Sequence, residues 1–527
     1  VVDTYGFDGS GQTVVVIDSG IAWSHTALGG GLGEGYRVVG GWDFTENDAD
    51  PYDDGPGGRS AAHGTHVAGI IGASGDGAHE GVATGVDLVG LRVFDDAGNG
   101  YFSWVEQALD WVYTNRNAFE NDITAVNLSL GTSWNSDSNP SWAMLEDEFA
   151  ALEAEGIFIS VSAGNDFTTY NEQGVSYPAS SDHVIPVMSV DNNGSLSYFS
   201  QRATYAIGAP GRWITSTVPD YAANDGDTID DDWLSMSGTS MAAPYVAGAS
   251  VLVREAMEFV GQTGIDQWDL YNHMMSTADS FFDSATNATY KRLNLQAAID
   301  ALMPTDDYGG DAATAHSLGM LQDSPASGPL AQSTSVSGVI STLTDADHFT
   351  FIAGATGTVT ISAENVTHDL VASWEAWGGS WSVTESGDCV IDVVAGQVYR
   401  VGLSSAGGLG YYSLSVSLDA DFLPIQSGSV GPQETRTGLS VTGERWYAFT
   451  AGATGYFTVE SLPQQGSASV AVYDAQQSLL ASDNGSGRAD AQVSQGDTVL
   501  VRVTGDSSDL NLRLTNAVSQ SGDAVTL

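Results

Sequence analysis

Apolar positions along the chain follow two rhythms, and the change falls near residue 303. Before it, stretches rich in β-branched and aliphatic residues recur at 13–17, 87–94, 123–130, 157–162 and 184–190, the first of them unbroken. A strand with one wet face would alternate apolar and polar residues, so runs this continuous predict strands covered on both faces. Between them, 63–72, 104–113 and 142–154 carry apolar residues at helical spacing, and 246–253 is apolar enough for a buried helix. Strands alternating with helices predict an α/β fold, a parallel sheet with helices on both faces.

After residue 303 the helical spacing vanishes. Alternating strands separated by Gly, Ser and Asp take over, the pattern of all-β, β-sandwich domains. This half also repeats itself. Ala353-Gly354-Ala355-Thr356-Gly357 returns 98 residues later as Ala451-Gly452-Ala453-Thr454-Gly455, each copy behind an aromatic strand at 347–351 or 445–449. Segment 394–401 is echoed by 494–501. Three domains are therefore expected, at 1–303, 304–420 and 421–527, and 527 residues are in any case too many for one core.

Composition adds one constraint. Against 66 acidic residues stand only 15 basic ones, a net charge of −51. The excess is spread over the molecule, with 42 acidic and 9 basic residues in 1–303 and 24 and 6 in the remainder. Such a surface repels nucleic acid and anionic membranes and suits high salt, calcium or cationic substrates. Cys389 is the single cysteine, which excludes an intrachain disulfide. No apolar run of ~20 residues predicts membrane insertion. The chain opens at Val1-Val2-Asp3, as an exported protein would after processing.

Candidate chemistry sits where the predicted elements end. Asp18 follows the first buried run, a position where open α/β sheets carry functional groups. His63 opens a predicted helix; His66, one turn on, is expected to satisfy a core hydrogen bond, and no H-E-x-x-H frame supports a zinc site. Ser240 lies at the start of the last apolar helix. Gly238 there is expected to provide a tight turn, and Pro244 to fall in the first turn, where its missing N–H costs little. Taken alone, Ser240 reads first as an ordinary N-cap, and the rest of the chain has to supply the case for a nucleophile at the positive end of a helix. The loop 43–55 brings Asp43, Glu46, Asp48, Asp50, Asp53 and Asp54 close together in sequence, enough oxygens to hold Ca²⁺, and we expect a structural calcium ion there.

Asp18, His63 and Ser240 together supply a hydroxyl to attack a carbonyl, an imidazole to carry its proton and a carboxylate to orient the imidazole. The stretches Val16-Ile17-Asp18-Ser19-Gly20, His63-Gly64-Thr65-His66-Val67-Ala68-Gly69, Ser162-Ala163-Gly164-Asn165 and Gly238-Thr239-Ser240-Met241-Ala242-Ala243-Pro244 resemble the subtilisin-like serine proteases, the subtilases. The resemblance spans roughly residues 1–303 and follows that family's Asp, His, Ser order. It implies Ser240 as nucleophile, His63 as general base and acid, Asp18 as orienting carboxylate, and Asn165 as an oxyanion donor beside the Ser240 N–H. It also implies an extended substrate between Gly98-Asn99-Gly100 and Ser129-Leu130-Gly131. The primary pocket would be walled by Ser129–Gly131 and Ser162, Ala163 and Gly164, with Ser176 at its floor, and Phe102 and Val105 would line an apolar subsite further off. The acidic loop at 43–54 is similar to a calcium loop of thermitase-type members.

The two β-domains resemble the bacterial pre-peptidase C-terminal (PPC) domain, through Asp345-Ala346-Asp347-His348-Phe349 and Gly410-Tyr411-Tyr412-Ser413-Leu414 in the first copy. Trp374, Trp377 and Trp381 are expected mainly to fill the core of that domain. The implied protein is a secreted, calcium-assisted serine endopeptidase, extracellular or cell-surface associated, monomeric, acting on protein or peptide substrates and made with a propeptide that is later cut off. Broad specificity with large apolar P1 residues is expected. The alternative is a calcium-dependent surface-binding or adhesion protein with a subsidiary protease domain.

Overall fold

The buried runs of the first rhythm form the middle of a single sheet. The computed structural model describes residues 1–53, 62–75, 77, 79–223, 229–321, 332–365, 370–378, 381–385, 388–394, 396–419 and 424–518. Residues Val1–Pro304 and Thr305–Leu527 are two compact units.

In the first unit the strands are β1 (Thr13–Asp18), β2 (Val38–Asp43), β3 (Asp87–Arg92), β4 (Ile123–Leu128), β5 (Phe158–Ser162), β6 (Ile185–Val190), β7 (Ile207–Pro210), β8 (Ile214–Val218), β9 (Asp232–Met236), β10 (Asp279–Asp283) and β11 (Ala288–Arg292). Nine of them make one sheet in the order β10-β11-β7-β6-β5-β4-β1-β3-β2. β10 pairs antiparallel with β11, and the other neighbours are parallel. β8 and β9 form a separate antiparallel hairpin. β1, β5 and β6 are buried at every position, as their largely apolar runs require.

Side chains of a strand alternate between faces, and β1 shows how both are covered. Val15 and Ile17 share a core with Val105, Ala108, Leu109 and Val112 of the helix Phe102–Asn115 and with Phe149 and Leu152 of the helix Glu146–Ala154. Val14 and Val16 are equally buried on the other side. There the helices His63–Gly72 and Thr239–Phe259 pack on each other and on the sheet. The chain leaves β1 toward β3 and β2 on one side and continues through β4 on the other, so the sheet's switch point lies beside the C-terminal end of β1.

The helix expected from 142 begins only at Glu146. The amides of Met144 and Leu145 donate instead to the Tyr177 hydroxyl, a partner that local spacing does not reveal.

The second unit is all-β. Its first part holds two sheets. One joins His316–Leu321, Ala346–Ala353, Val398–Gly407, Val371–Gly378 and Trp381–Glu385; the other joins Gln332–Ile340, Gly410–Asp419, Gly357–Asn365 and Cys389–Val393. The side chains of Trp374, Trp377 and Trp381 lie outside the described residues, as does the expected boundary at 420. The part after residue 424 departs from the simple repeat. Its long strands Glu434–Ala451, Gly455–Tyr473 and Thr498–Val518 belong to one continuous hydrogen-bonded sheet. Register shifts at 436–441 and 463–467, with Gly466 and Gly505 at positive φ, bend these strands. Val459, Leu512 and Leu514 on one side of the bend share a core with Val470, Val501 and Val503 on the other. Among the described residues no helix is long and apolar enough to cross a membrane.

Candidate active site

Asp18 is the last residue of β1, and its carboxylate is 1% exposed. Its Oδ1 accepts from the Ser19 amide at 2.7 Å and faces His63 Nδ1, also at 2.7 Å. His63 is the first residue of its helix and keeps a quarter of its side chain exposed. The start of that helix lies tight against the strand end. A Cβ on Gly64 would stand 2.2 Å from the Gly20 carbonyl, and the Gly64 amide donates to Ser19 Oγ at 2.8 Å. Burial works against the imidazolium, but the charge and hydrogen bond of Asp18, with a further contribution from Asp53, outweigh it and raise His63 above its ordinary value.

Ser240 is the second residue of the helix Thr239–Phe259, preceded by Gly238 as N-cap. Gly238 has φ 169°, extended backbone open to any residue, so it does not supply the expected tight turn. Pro244 lies inside the helix rather than in its first turn. Its missing N–H would have served the Ser240 carbonyl four residues back, and the Ser129 hydroxyl takes that place at 2.8 Å. The next carbonyls are tied down too, with Ser160 Oγ donating to Ala243 O at 2.8 Å. Residues after β4 and within β5 thus hold the start of this helix against the sheet. Among the described residues, the one hydrogen bond of the Ser240 hydroxyl is to the Ser129 carbonyl, at 3.3 Å.

Asn165 follows β5 and is oriented by Thr239. Its Oδ1 accepts from the Thr239 amide at 2.9 Å and from Thr239 Oγ1 at 3.1 Å. With the carbonyl end engaged, the amide nitrogen faces outward, and a Cβ on Gly238 would lie 3.5 Å from it. Among the described residues, Asn165 Nδ2 and the Ser240 N–H carry no hydrogen bond, leaving two donors at a helix N-terminus. Gly164 donates to Thr239 Oγ1 at 3.1 Å, so Thr239 orients the whole turn. Sequence reasoning missed this role; a threonine beside a serine carries no separate signal.

The pocket residues converge. A Cβ on Gly131 would meet Ser176 Oγ at 2.7 Å, and one on Gly164, itself at φ +106°, would meet Ser176 Cβ at 3.0 Å. Ser176 is buried, its amide donating to the Ala163 carbonyl at 2.8 Å and its hydroxyl to the Ser162 carbonyl at 3.4 Å. Ser162 Oγ donates to the Leu130 carbonyl at 3.3 Å, joining the two walls. Gly98, Asn99 and Gly100 form an exposed turn closed by Asp95, whose carboxylate accepts from the Asn99 amide at 2.8 Å. Phe102 is half-buried, edge-on to Tyr177 at 5.6 Å between ring centres. Val105 is in the core at 4% exposure, behind rather than on the surface.

Among the described residues, no three carboxylates of the acidic loop come together at one point, as the expected calcium site would need. Asp43 is buried and paired with Arg92 at 2.9 Å, and also accepts from the amides of Thr45 and Glu46. Asp48 accepts from the Asp50 amide at 3.0 Å, and Asp50 from Trp23 Nε1 at 2.8 Å. Asp53 turns inward beneath the site. It is 1% exposed and accepts from Thr65 Oγ1 at 2.8 Å. Burial, assisted by the nearby Asp18 charge, pushes its carboxyl well above the ordinary range against the Thr65 bonds. Asp54 lies outside the described residues. A buried guanidinium and a threonine engage two of the carboxylates, Asp43 and Asp53, that spacing alone made available for an ion. His66 is likewise a core residue, with Nε2 facing the Leu234 and Ile214 carbonyls at 2.9 and 3.1 Å, and burial lowers it to about 4.

Comparison with known proteins places these residues in a wider set. The Subtilase family model matches residues 9–319. Over 286 residues the chain is 32% identical to subtilisin DY of Bacillus licheniformis, covering 54% of this chain and 89% of that protein. It is 29% identical to thermitase of Thermoactinomyces vulgaris over 295 residues, covering 55% and 90%. With subtilisin E of Bacillus subtilis (strain 168) it shares 33% identity over 250 residues, 47% of this chain and 56% of that one. A crystal structure of a cold adapted subtilisin-like serine proteinase is similar over 55% of this chain and 90% of that chain, at 31% identity and a TM-score of 0.43.

Proposed function

Since this chain belongs to the subtilase family of serine endopeptidases, we propose that it cuts peptide bonds with Asp18, His63 and Ser240, through an acyl-enzyme. The observation that carries the assignment is the 2.7 Å bond between Asp18 and His63 Nδ1, which leaves Nε2 as the proton acceptor. The mechanism requires the Ser240 hydroxyl, which donates to the Ser129 carbonyl at 3.3 Å, to turn to that nitrogen. The oxygen attacks the scissile carbonyl while His63 takes the proton, and Asp18 stabilises the imidazolium. The oxyanion receives the Ser240 N–H and Asn165 Nδ2. His63 then returns its proton to the leaving amine, and water repeats the sequence on the acyl-enzyme.

Substrate runs between Gly98-Asn99-Gly100 and Ser129-Leu130-Gly131, adding a strand to each edge. A pocket between Gly131 and Gly164 that ends on a residue as small as Ser176 accepts large apolar P1 side chains, with Phe102 offering an apolar wall further along. Export, a cleaved propeptide, a monomeric state and two PPC-like domains at 304–420 and 421–527 belong to the same reading. Family membership favours it over the adhesion alternative.

A fluorophosphonate probe should label the full chain on Ser240 and block hydrolysis of a denatured protein substrate. Ser240→Ala should lose both signals. An unlabelled, inactive wild-type chain that is folded by circular dichroism would overturn the assignment, and strict dibasic cleavage in a peptide library would overturn the pocket.

A further inference from the structure

Outside the catalytic unit, at the start of the second one, three carboxylates approach one another. Asp306 is exposed, Asp345 is half-buried and Asp347 has no exposure at all. One oxygen from each lies within 4.8 Å of the others. Two oxygens that each sit about 2.4 Å from one ion can be at most about 4.8 Å apart, so this spacing is what a shared Ca²⁺ permits.

The second observation is an orphaned oxygen. Asp347 Oδ2 accepts from the Tyr412 hydroxyl at 2.6 Å, whereas Oδ1 is buried and, among the described residues, has no hydrogen-bond partner. Buried carboxylate oxygens are almost always paired, because a lost solvation shell must be replaced. Asp345 is held in place as well, its Oδ2 accepting from the Ser341 amide at 2.7 Å and the Ser341 hydroxyl at 2.9 Å. Burial, against the lowering effect of the Tyr412 hydrogen bond and with help from the charges of Asp345, Asp307 and Asp306, pushes the Asp347 carboxyl up to about 7.

We propose that Asp306, Asp345 and Asp347 bind a divalent cation of the calcium class, tying the first residues of the β-unit to the strand Ala346–Ala353. Three carboxylates with no nitrogen or sulfur donor select a hard cation over zinc or copper. The ion supplies Asp347 Oδ1 with its missing partner and relieves the repulsion among the carboxylates. Residue 306 is thereby fastened to a strand some forty positions later in the sequence. The site is independent of the acidic loop at 43–54 and of the catalytic reading.

The test uses the full chain carrying Ser240→Ala, so that no self-digestion intervenes, stripped with a chelator and titrated with Ca²⁺ alone by calorimetry. Asp306→Asn is the decisive variant, because an exposed side chain can be changed without endangering the fold; Asp347→Asn is the second. Each should bind one ion fewer per chain than the parent, or bind it at least tenfold more weakly. Tb³⁺ adds a local readout, since Tyr412 bonds a ligand directly and should sensitise its emission. That emission should fall about tenfold in both variants. Unchanged stoichiometry and affinity in Asp306→Asn, or no Ca²⁺ binding by the parent, would overturn the site.

Discussion

Thr239 contributes to the site without touching the reacting atoms. By engaging Asn165 Oδ1 from both its amide and its hydroxyl, it leaves the amide nitrogen for the proposed oxyanion. Asn165→Ala should lower kcat by about 10²–10³ with little change in KM, because the donor matters mainly in the transition state. Thr239→Val keeps the backbone bond and loses one of two, so a smaller loss in kcat is expected, again at constant KM. Steady-state kinetics on a soluble peptide separate the two, and a rise in KM alone would contradict this role. His63 yields a pH prediction. Its conjugate acid is stabilised by Asp18, and only the neutral imidazole can accept the Ser240 proton, so kcat/KM should fall as pH drops through a value above 6.5. Asp18→Asn should move that limb downward and cost about 10⁴ in rate. An acid limb at or below 6.5 in the wild type would contradict the assignment. Asp18, His63, Ser240 and Asn165 could be named as candidates from the sequence, because each sits in a short motif at the end or the start of an apolar run. The roles of Thr239 and Asp53 were not legible, since they depend on residues far away in sequence.

At the scale of elements, β2 and β3 are clamped by a buried ion pair. Arg92 and Asp43 end neighbouring strands, are 3% and 2% exposed and meet at 2.9 Å. Arg92→Ala strands the Asp43 carboxylate in the core and should destabilise the first unit by about 3–5 kcal/mol in a urea melt. A loss under about 1 kcal/mol would show that the pair is solvated. The inner strands were legible in the sequence, because a short β-branched run that is apolar at every residue needs cover on both of its faces. The edge strands β10 and β11 and the helix Gln267–Thr277 were not. That helix carries a capping box in which Asp266 and Asp269 exchange backbone bonds, a signal hidden by the usual Ser/Thr and Glu/Gln form of the motif. Pro244 fails in the opposite direction. Local rules put it in the first turn of its helix, whereas a hydroxyl from the loop after β4 decides what it costs.

For the molecule as a whole, a charge of −51 is the dominant surface property. Like charges repel over about 10 Å at 0.1 M salt and over about 3 Å at 1 M. The melting temperature should therefore rise between 0.1 and 1 M NaCl, measured with and without chelator to separate screening from ion binding. A flat or falling response would show that the carboxylates are already compensated locally. The change of rhythm near residue 303 marked the passage from the α/β to the all-β region, since backbone periodicity is written into local sequence. The repeat did not foretell that the last three long strands would run through one bent sheet, because register shifts arise from glycines that look the same in any turn.

By itself, then, the sequence determined the buried sheet and its helical cover, which depend on short-range pattern, and the four motifs on which the proposed reacting centre rests. Tertiary structure alone decided the fate of the carboxylates. Asp43 went to Arg92 and Asp53 to Thr65, while Asp306, Asp345 and Asp347, which no local spacing unites, were brought to one point. A carboxylate acts through whatever lies within a few ångströms of its oxygens, and in a chain this rich in acid that neighbour is chosen by the fold.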